Sequence, residues 1–271
     1  MRASPTLVLA ASVAVLAGGQ SAHAHGPSVA PRAKPVPVLM YHRVSAAPRK
    51  PGRSPALWVG AARFRRQLGL LARAGYHGVT LDQVWRAWHG QATLPDKPIV
   101  LTFDDGYASQ YRNAAPALRR YGWPGVLNLE WRRLGLRGGL SRAQVRRLIG
   151  AGWEVAAHSL THPDLTRLDA ASLRAEVAGS RAAIEHAFGL AVESFCYPYG
   201  RVDARVRAAV RAAGFRTATT TRQGLASPLG DPLLLRRIRV DGRKPAADLL
   251  RALRRAAVST GGPMTARHPV L

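Results

Sequence analysis

Four short polar motifs stand out in this sequence because each directly follows an apolar run of strand length. They are, in chain order, His42, Asp104-Asp105-Gly106, His158-Ser159-Leu160-Thr161-His162 and Pro198-Tyr199-Gly200. One such motif alone is usually structural, since sequences of this kind are common in turns and helix caps. The carboxyl ends of parallel strands meet at one rim of a barrel, so the four motifs together predict a shared site.

Adjacent carboxylates and a spaced histidine pair predict a metal site with a neighbouring base. Asp104 and Asp105 are costly to bury as a charged pair unless a cation or a shared proton offsets their repulsion. His158 and His162 are four residues apart, a spacing that can bring both imidazoles to one side of a helical turn. One carboxylate and two histidines leave positions open on a divalent ion, and the second carboxylate can then act as a base.

The hydrophobic pattern predicts the scaffold that brings these motifs together. Apolar runs with little alternation are separated by amphipathic segments, which indicates a parallel sheet buried on both faces. The runs are Val36–Tyr41, Tyr76–Thr80, Ile99–Phe103, Gly125–Leu129, Trp153–Ala157, Ser194–Tyr197 and Arg216–Thr220. About seven such units predict a single deformed (β/α)7-type α/β barrel with parallel strands. A Rossmann fold is the alternative, and the lack of an early G-x-G-x-x-G weakens it.

Composition limits the other possibilities. Lys and Arg number 40 against 15 Asp and Glu, a formal net charge of +25, and nearly all of the positive charge is arginine. The arginines form no single tract and no known nucleic-acid motif, so nucleic acid is not expected as a partner. Such a surface could hold the protein near anionic envelope polymers. The single cysteine, Cys196, excludes a disulfide within the chain and a cysteine-rich zinc site.

The chain divides into four predicted segments. Residues 1–24 have the form of a signal peptide, with Arg2, the apolar stretch Leu7–Ala17 and the cleavage site Ala22-His23-Ala24. An uncleaved membrane anchor is the alternative, although the apolar stretch is short for a bilayer. Residues 25–36 form a linker, residues 37–257 the catalytic domain and residues 258–271 a loose tail. We therefore expect an exported protein, periplasmic or extracellular, and make no prediction of its oligomeric state.

At its motifs the sequence resembles the polysaccharide deacetylases with a NodB-homology domain, carbohydrate esterase family 4. Residues 101–106 match the T-F-D-D-G motif, and residues 158–163 match H-[ST]-x-x-H-P. Residues 152–155 resemble the G-x-E-[IV] lead-in, and the resemblance covers about residues 36 to 240. Residues 37–44 and 195–200 are similar to the branch that includes the poly-β-1,6-N-acetylglucosamine N-deacetylases.

The resemblance implies a hydrolase that removes N-acetyl groups from a polysaccharide, and it assigns roles to the motif residues. Asp104 would be the general base, and Asp105, His158 and His162 would bind a divalent metal ion, most often zinc. The metal would polarise the acetamide carbonyl and the water. The backbone N–H near Tyr199 would help to stabilise the oxyanion.

Two departures from the family pattern concern an arginine and a histidine. The arginine usual in the third motif is replaced by Cys196, and Arg237 is a candidate substitute, with an ordinary surface arginine as the alternative. The late L-x-x-H acid motif is absent, but Leu39-Met40-Tyr41-His42 has that form. In a circularly permuted barrel, whose first strand closes against the last, His42 would reach the site. We expect it to be the general acid, facing the metal across the pocket from Asp104, with a structural role as the alternative.

Three functions remain open at this point. One is deacetylation of a β-linked N-acetylglucosamine polymer, and another is deacetylation of peptidoglycan, chito-oligosaccharide or acetyl-xylan. A catalytically inactive carbohydrate-binding relative is the third, and the complete Asp and His set argues against it. Because a deacetylated glucosamine polymer is cationic, the positive charge favours partial deacetylation or a substrate with acidic groups.

Overall fold

The computed structural model describes Met1 and residues 33–48 and 54–260. Apart from Met1, the predicted signal peptide lies outside these residues, as do most of the predicted linker and residues 261–271. Within the described residues, no helix combines the length and the apolar content that a membrane crossing requires.

Seven parallel strands close into a barrel. The eight strands found in the described residues are β1 Val38–Tyr41, β2 His77–Val79, β3 Pro98–Asp104, β4 Val126–Leu129, β5 Glu154–Ala157, β6 Ser194–Cys196, β7 Thr217–Gln223 and β8 Leu235–Arg239. β1 closes the ring because it pairs with β3 on one side and with β8 on the other. The remaining ring neighbours follow in chain order from β3 to β8. The predicted barrel is confirmed, and the closure excludes the open sheet of a Rossmann fold.

One predicted strand lies outside the ring. β2 pairs with the first half of β3, where His77 is opposite Pro98 and Val79 is opposite Val100. β1 pairs with the second half of the same strand, from Val100 onward. The seventh ring strand is instead β8, which the hydrophobic pattern does not predict as an apolar run.

Helices cover the outside of the barrel. They are α1 Ala61–Arg73, α2 Leu81–Trp88, α3 Ala115–Arg119, α4 Arg142–Gly150, α5 Ala170–Phe188, α6 Ala204–Ala212 and α7 Asp248–Thr260, and a π-helical turn, Gln110–Ala114, leads into α3. Ser141 caps α4, since its side chain accepts a hydrogen bond from the Gln144 backbone N–H. Gly189 ends α5 in the left-handed conformation at φ 68°.

Two predicted boundaries differ from the structure. Val36, the last residue of the predicted linker, is buried and forms a bridge with Ala226. α7 extends to Thr260, so the helix continues into the segment predicted as a loose tail from residue 258. Both ends of the domain therefore reach further than their composition indicates.

The alternation of side chains along the strands positions the site. In β3, Ile99, Leu101 and Phe103 belong to the core between the barrel and its helices. Thr102 and Asp104 therefore point into the barrel, because successive side chains of a strand point to opposite faces. Inward positions at the carboxyl ends of the strands are consequently available for polar groups.

Candidate active site

All seven site residues that the sequence singles out line one cavity of about 390 Å³ at the carboxyl ends of the strands. They are His42, Asp104, Asp105, His158, His162, Tyr199 and Arg237. Inward-facing strand positions explain part of this convergence. Asp104 ends β3, His42 directly follows β1 and His158 directly follows β5.

Asp104 is held by a buried arginine. Nη1 of Arg237 lies 2.7 Å from Oδ1 of Asp104, and Nη2 lies 2.9 Å from Oδ2, so the pair is bidentate. Arg237 also donates to the Thr220 carbonyl and the Thr102 hydroxyl, both at 2.9 Å. With 1% of its surface exposed, it is not the surface arginine of the alternative interpretation.

The surroundings of Asp104 keep its carboxylate ionised. Asn128 Nδ2 donates to Oδ1 at 2.6 Å, which leaves Oδ2 as the less occupied oxygen. Burial by itself would raise the pKa of Asp104, but Arg237 and His42 lower it to about 2. The group is therefore a carboxylate, and able to accept a proton, at any ordinary pH.

Asp105, His158 and His162 form the second half of the site. Oδ1 of Asp105 lies 3.5 Å from Nε2 of His158 and 3.6 Å from Nε2 of His162. His158 Nδ1 contacts the Cys196 carbonyl oxygen at 2.7 Å, and since only a protonated ring nitrogen can donate to a carbonyl, Nε2 is the atom available to a metal.

The pKa values in this half of the site differ in direction. Burial would raise the pKa of Asp105, but His158 and the neighbouring histidines His42 and His162 lower it. Burial would also lower the pKa of His158, but Cys196 and Asp105 raise it well above the ordinary value. Burial and the charge of His158 lower the pKa of His162 to about 4.

These three side chains have the donor chemistry and the spacing of a divalent metal site. Two donors on opposite sides of one zinc ion are about 4.2 Å apart, and the Oδ1–Nε2 distances above are shorter than this limit. The ligand atoms of Asp104, His158 and Cys196 also lie close together. Asp104 is already bound by Arg237 and Asn128, so the set that contains Asp105 suits a metal better.

Several of these residues hold strained backbone conformations. Five non-glycine residues have positive φ in the described part of the chain, and four of them are Asp105, Ser159, His162 and Tyr199, at φ values from 58° to 74°. Such conformations cost about 1–3 kcal/mol each and concentrate at functional sites. The folded structure thus holds the backbone around Asp105 and around His162 in conformations that these residues would not prefer by themselves.

His42 lies beside Asp104, which corrects the expectation that it faces the pocket from the opposite side. Its Nε2 is 3.7 Å from Oδ2 of Asp104, and its backbone carbonyl accepts a hydrogen bond from Gln110 Nε2 at 3.0 Å. Burial lowers the pKa of His42, although the carboxylates of Asp104 and Asp105 favour its protonated form.

Tyr199 forms the exposed lip of the cavity. Its side chain is 59% exposed, and its ring packs edge-on against that of His162 at 4.6 Å between centroids. The next residue, Gly200, has φ 70°, and a Cβ there would lie 2.6 Å from the Thr221 backbone nitrogen. The turn therefore requires glycine at this position and fixes Tyr199 beside the histidine.

The sequence analysis did not predict a cluster of stacked arginine and aromatic side chains beside the cavity. The Arg43 guanidinium lies over the rings of Trp58 and Tyr107, at 4.4 and 3.5 Å from their centroids. The Arg133 guanidinium also lies over the Tyr107 ring, at 4.6 Å from its centroid. Tyr107 and Arg133 line the cavity. The sequence gives little signal for these contacts, because the residues are far apart in the chain.

The sequence analysis also missed Asn128, although a polar residue within an apolar strand is a usable signal.

Comparison with known proteins agrees with the geometry. A family model described as polysaccharide deacetylase matches residues 91–218. The YxkH protein of Bacillus subtilis (strain 168), provisionally named a polysaccharide deacetylase, is 27% identical over 205 residues, which are 76% of this chain and 71% of that protein. A poly-β-1,6-N-acetyl-D-glucosamine N-deacetylase of Escherichia coli (strain K12) is 41% identical over 68 residues, or 25% of this chain and 10% of that protein.

Solved structures share the fold. Deacetylase PplD of Streptococcus pyogenes, solved in complex with acetate, superposes with a TM-score of 0.75 at 24% identity, over 80% of this chain and 97% of that one. IcaB of Ammonifex degensii gives a TM-score of 0.68 at 25% identity, over 81% and 96% of the two chains.

Proposed function

Because the chain belongs to the polysaccharide deacetylase family, we propose that it is an exported, metal-dependent enzyme that removes N-acetyl groups from a β-linked N-acetylglucosamine polymer. The observation that carries the proposal is the division of the cavity into two halves. On one side Arg237 holds the Asp104 carboxylate ionised, and on the other Asp105, His158 and His162 present metal-ligand atoms. Amide hydrolysis needs both a base and electrophilic assistance.

The metal site would take zinc. Two imidazole nitrogens and one carboxylate oxygen are a common catalytic zinc set, which leaves a position for water or substrate. A divalent ion bound there would supply Lewis acidity toward the acetamide carbonyl and the attacking water. The contact of His158 with the Cys196 carbonyl orients the ring, so that Nε2 faces the cavity.

Asp104 takes the proton of the attacking water at Oδ2. That oxygen accepts a hydrogen bond from Arg237, whereas Oδ1 accepts hydrogen bonds from both Arg237 and Asn128. A carboxylate with a pKa of about 2 is a weak base in isolation, so its contribution depends on a water that has already been made more acidic. Arg237 acts as the positioning residue that keeps Oδ2 directed at the cavity.

His42 delivers a proton to the leaving amine, and the Tyr199 backbone stabilises the developing oxyanion. An amine leaves poorly as an anion, so the reaction needs an acid within reach of the scissile bond. His42 lines the cavity, and its Nε2 lies 3.7 Å from Oδ2 of Asp104. The left-handed backbone at Tyr199 sets the direction of its N–H at the cavity rim.

The substrate class rests on similarity and on charge. The 41% identical segment in the Escherichia coli enzyme supports a β-linked N-acetylglucosamine polymer. Arg239 also lines the cavity and would repel units that are already deacetylated and cationic. Partial deacetylation follows. Peptidoglycan, chito-oligosaccharide and acetyl-xylan are the alternative substrates.

Export and surface charge complete the proposal. The segment 1–24 has the form of a cleaved signal peptide, which would place the enzyme in the periplasm or outside the cell. There its net charge of +25 would favour contact with anionic envelope polymers.

A substrate panel tests the proposed function. Acetate release is measured on poly-β-1,6-N-acetylglucosamine, chito-oligosaccharide, peptidoglycan and acetyl-xylan, with the zinc-loaded protein and its Asp104→Asn variant. The proposal expects release from the first polymer to be fastest and to depend on Asp104. Faster release from acetyl-xylan, or equal rates with the variant, would contradict it.

A further inference from the structure

One side of the barrel carries many arginines and almost no acidic residues. From residue 106 to residue 153 the sequence contains nine arginines, no lysine and a single acidic residue, Glu130. The Glu130 carboxylate is already paired, since it lies 2.7 Å from Arg133 Nη2. The rest of this segment, which includes α3 and α4, therefore has no carboxylate of its own to neutralise its arginines.

Three of these arginines line a groove of about 860 Å³ between α3 and α4, which we call the α3–α4 groove. They are Arg112, Arg119 and Arg147, and all three are exposed. Arg147 donates a hydrogen bond to the Tyr111 hydroxyl at 3.2 Å. Among residues 33–48 and 54–260, no ion pair includes any of these three arginines. Within this part of the chain, no carboxylate therefore neutralises their charges.

On two helices further around the barrel, by contrast, arginines do form ion pairs with carboxylates. On α5, Arg181 pairs with Glu185 at 2.9 Å. On α6, Arg207 and Arg211 share Asp231 at 3.0 and 3.7 Å. The unpaired positive charge is thus unevenly distributed over the barrel, and the α3–α4 groove carries arginines that form no ion pair in the described residues.

Along the chain, about one helical turn separates the catalytic cavity from the groove. Tyr107 lines the cavity, and Tyr111, about one helical turn later, lines the groove. The groove then continues to Trp123 and Trp153, which precede β4 and β5 and so lie toward the opposite end of the barrel. A polymer that leaves the cavity past Tyr107 would have about one helical turn to cross before it meets the groove on the side of the barrel.

We propose that the α3–α4 groove binds carboxylate-bearing sugar units of the same polysaccharide that the cavity deacetylates. The proposal rests on the deacetylase function proposed above and refines its substrate class: the polymer would carry acidic units beside the β-linked N-acetylglucosamine units that are deacetylated, and a neutral homopolymer would engage the cavity but not the groove. Guanidinium groups bind carboxylates through two parallel hydrogen bonds, which suits an anionic polymer better than a lysine surface would. Neutral N-acetylated units occupy the cavity, while acidic units of the chain occupy the groove.

A bilayer surface is a poorer match for the groove. Binding in the membrane interface requires apolar side chains that insert below the headgroups. α3 and α4, both fully described, expose no large apolar side chain. A concave groove with guanidinium groups on both sides fits a single flexible chain.

The test compares two variants of the full chain that lose equal charge. The groove variant carries Arg112→Gln, Arg119→Gln and Arg147→Gln, and the control variant carries Arg167→Gln, Arg174→Gln and Arg211→Gln. Thermal unfolding checks that both are folded. Binding to polygalacturonate, to a neutral chitin oligomer and to vesicles with anionic phospholipid is then measured on metal-free protein at two salt concentrations.

We expect the groove variant to bind polygalacturonate roughly tenfold or more weakly, with a reduced salt dependence, while the control variant stays within about twofold of the natural sequence. Equal losses in the two variants would overturn the proposal, and so would tighter binding to the vesicles than to the polyuronate. Because no turnover is involved, this readout stays interpretable even if the deacetylase function fails its own test. On an acetylated acidic polymer, the groove variant should raise KM and leave kcat unchanged.

Discussion

Arg237 and Asp104 meet across the inside of the barrel, from strands that are not neighbours. Arg237 lies on β8 and Asp104 ends β3, and β1 separates the two strands in the ring. The bidentate pair between them, at 2.7 and 2.9 Å, is buried on both sides. Closure of the barrel through β1 is thus also what brings the candidate base to its arginine.

Replacement of Arg237 should therefore affect both stability and activity. In Arg237→Gln the Asp104 carboxylate stays buried without a cation, which costs about 3–5 kcal/mol when one partner of a buried pair is removed. Urea unfolding at pH 7 measures this loss, and Arg236→Gln, at the exposed neighbouring residue, is the control. The same stability in both variants would show that the pair contributes little.

The sign of the pH effect follows from the lowered pKa of Asp104. A depressed carboxyl pKa adds stability above the unfolded value of about 3.9, and this stability is lost as pH falls toward 2. In Arg237→Gln the pKa of Asp104 should rise, so the difference in unfolding free energy between the two proteins should shrink as the solution is acidified. A difference that does not change between pH 7 and pH 3 would contradict this account.

Asp104→Asn separates the base from the metal ligands. The amide keeps the shape of the side chain but cannot accept the proton of the water, so kcat should fall by about 10²-fold or more. Zinc content should stay the same, because Asp105, His158 and His162 provide the ligands. Turnover like that of the unchanged protein would rule Asp104 out as the base.

Metal binding should release a proton and weaken at low pH. In the metal-free protein the pKa of His158 is raised, so this ring keeps a proton that a bound metal must displace. Isothermal titration with zinc near pH 7, in buffers of different ionisation enthalpy, should report a release approaching one proton. The affinity should fall as pH decreases, and an affinity that is independent of pH would contradict the assignment of His158.

His42 should produce a fall of activity on the alkaline side of the pH profile. An acid must be protonated, and burial lowers the pKa of His42, so kcat/KM should decline as pH rises, with a midpoint below the ordinary histidine value of about 6.5. In His42→Ala this decline should disappear while metal content is retained. The same pH profile in the variant would assign His42 a structural role.

The sequence predicts the barrel and the site motifs because these depend on local signals. Apolar runs and the polar residues that follow them are visible in the chain, and all of the candidate catalytic residues and metal ligands named from these motifs line the cavity. β8 gives no such signal, since its sequence Leu-Arg-Arg-Ile-Arg contains three arginines in five residues. Arg237 on this strand can be buried because the carboxylate of Asp104, which lies far away in the sequence, neutralises its charge.

Contacts between distant segments account for the remaining differences. Spacing cannot predict that Arg43 lies between Trp58 and Tyr107, because the three residues come together only when the barrel closes. The position of His42 beside Asp104 depends likewise on the pairing of Tyr41 with Phe103 in neighbouring strands. Sequence patterns gave the correct rim for His42 but not the correct side of the pocket.

The central claim is that Asp104 and a metal held by Asp105, His158 and His162 together hydrolyse an acetamide. The most direct test measures acetate release from an N-acetylglucosamine polymer by chelator-treated protein, before and after one equivalent of zinc. The account predicts negligible release without metal, recovery with zinc, and no recovery in Asp104→Asn although that variant binds the same amount of zinc. Full activity of the metal-free protein, or recovery in Asp104→Asn, would contradict it.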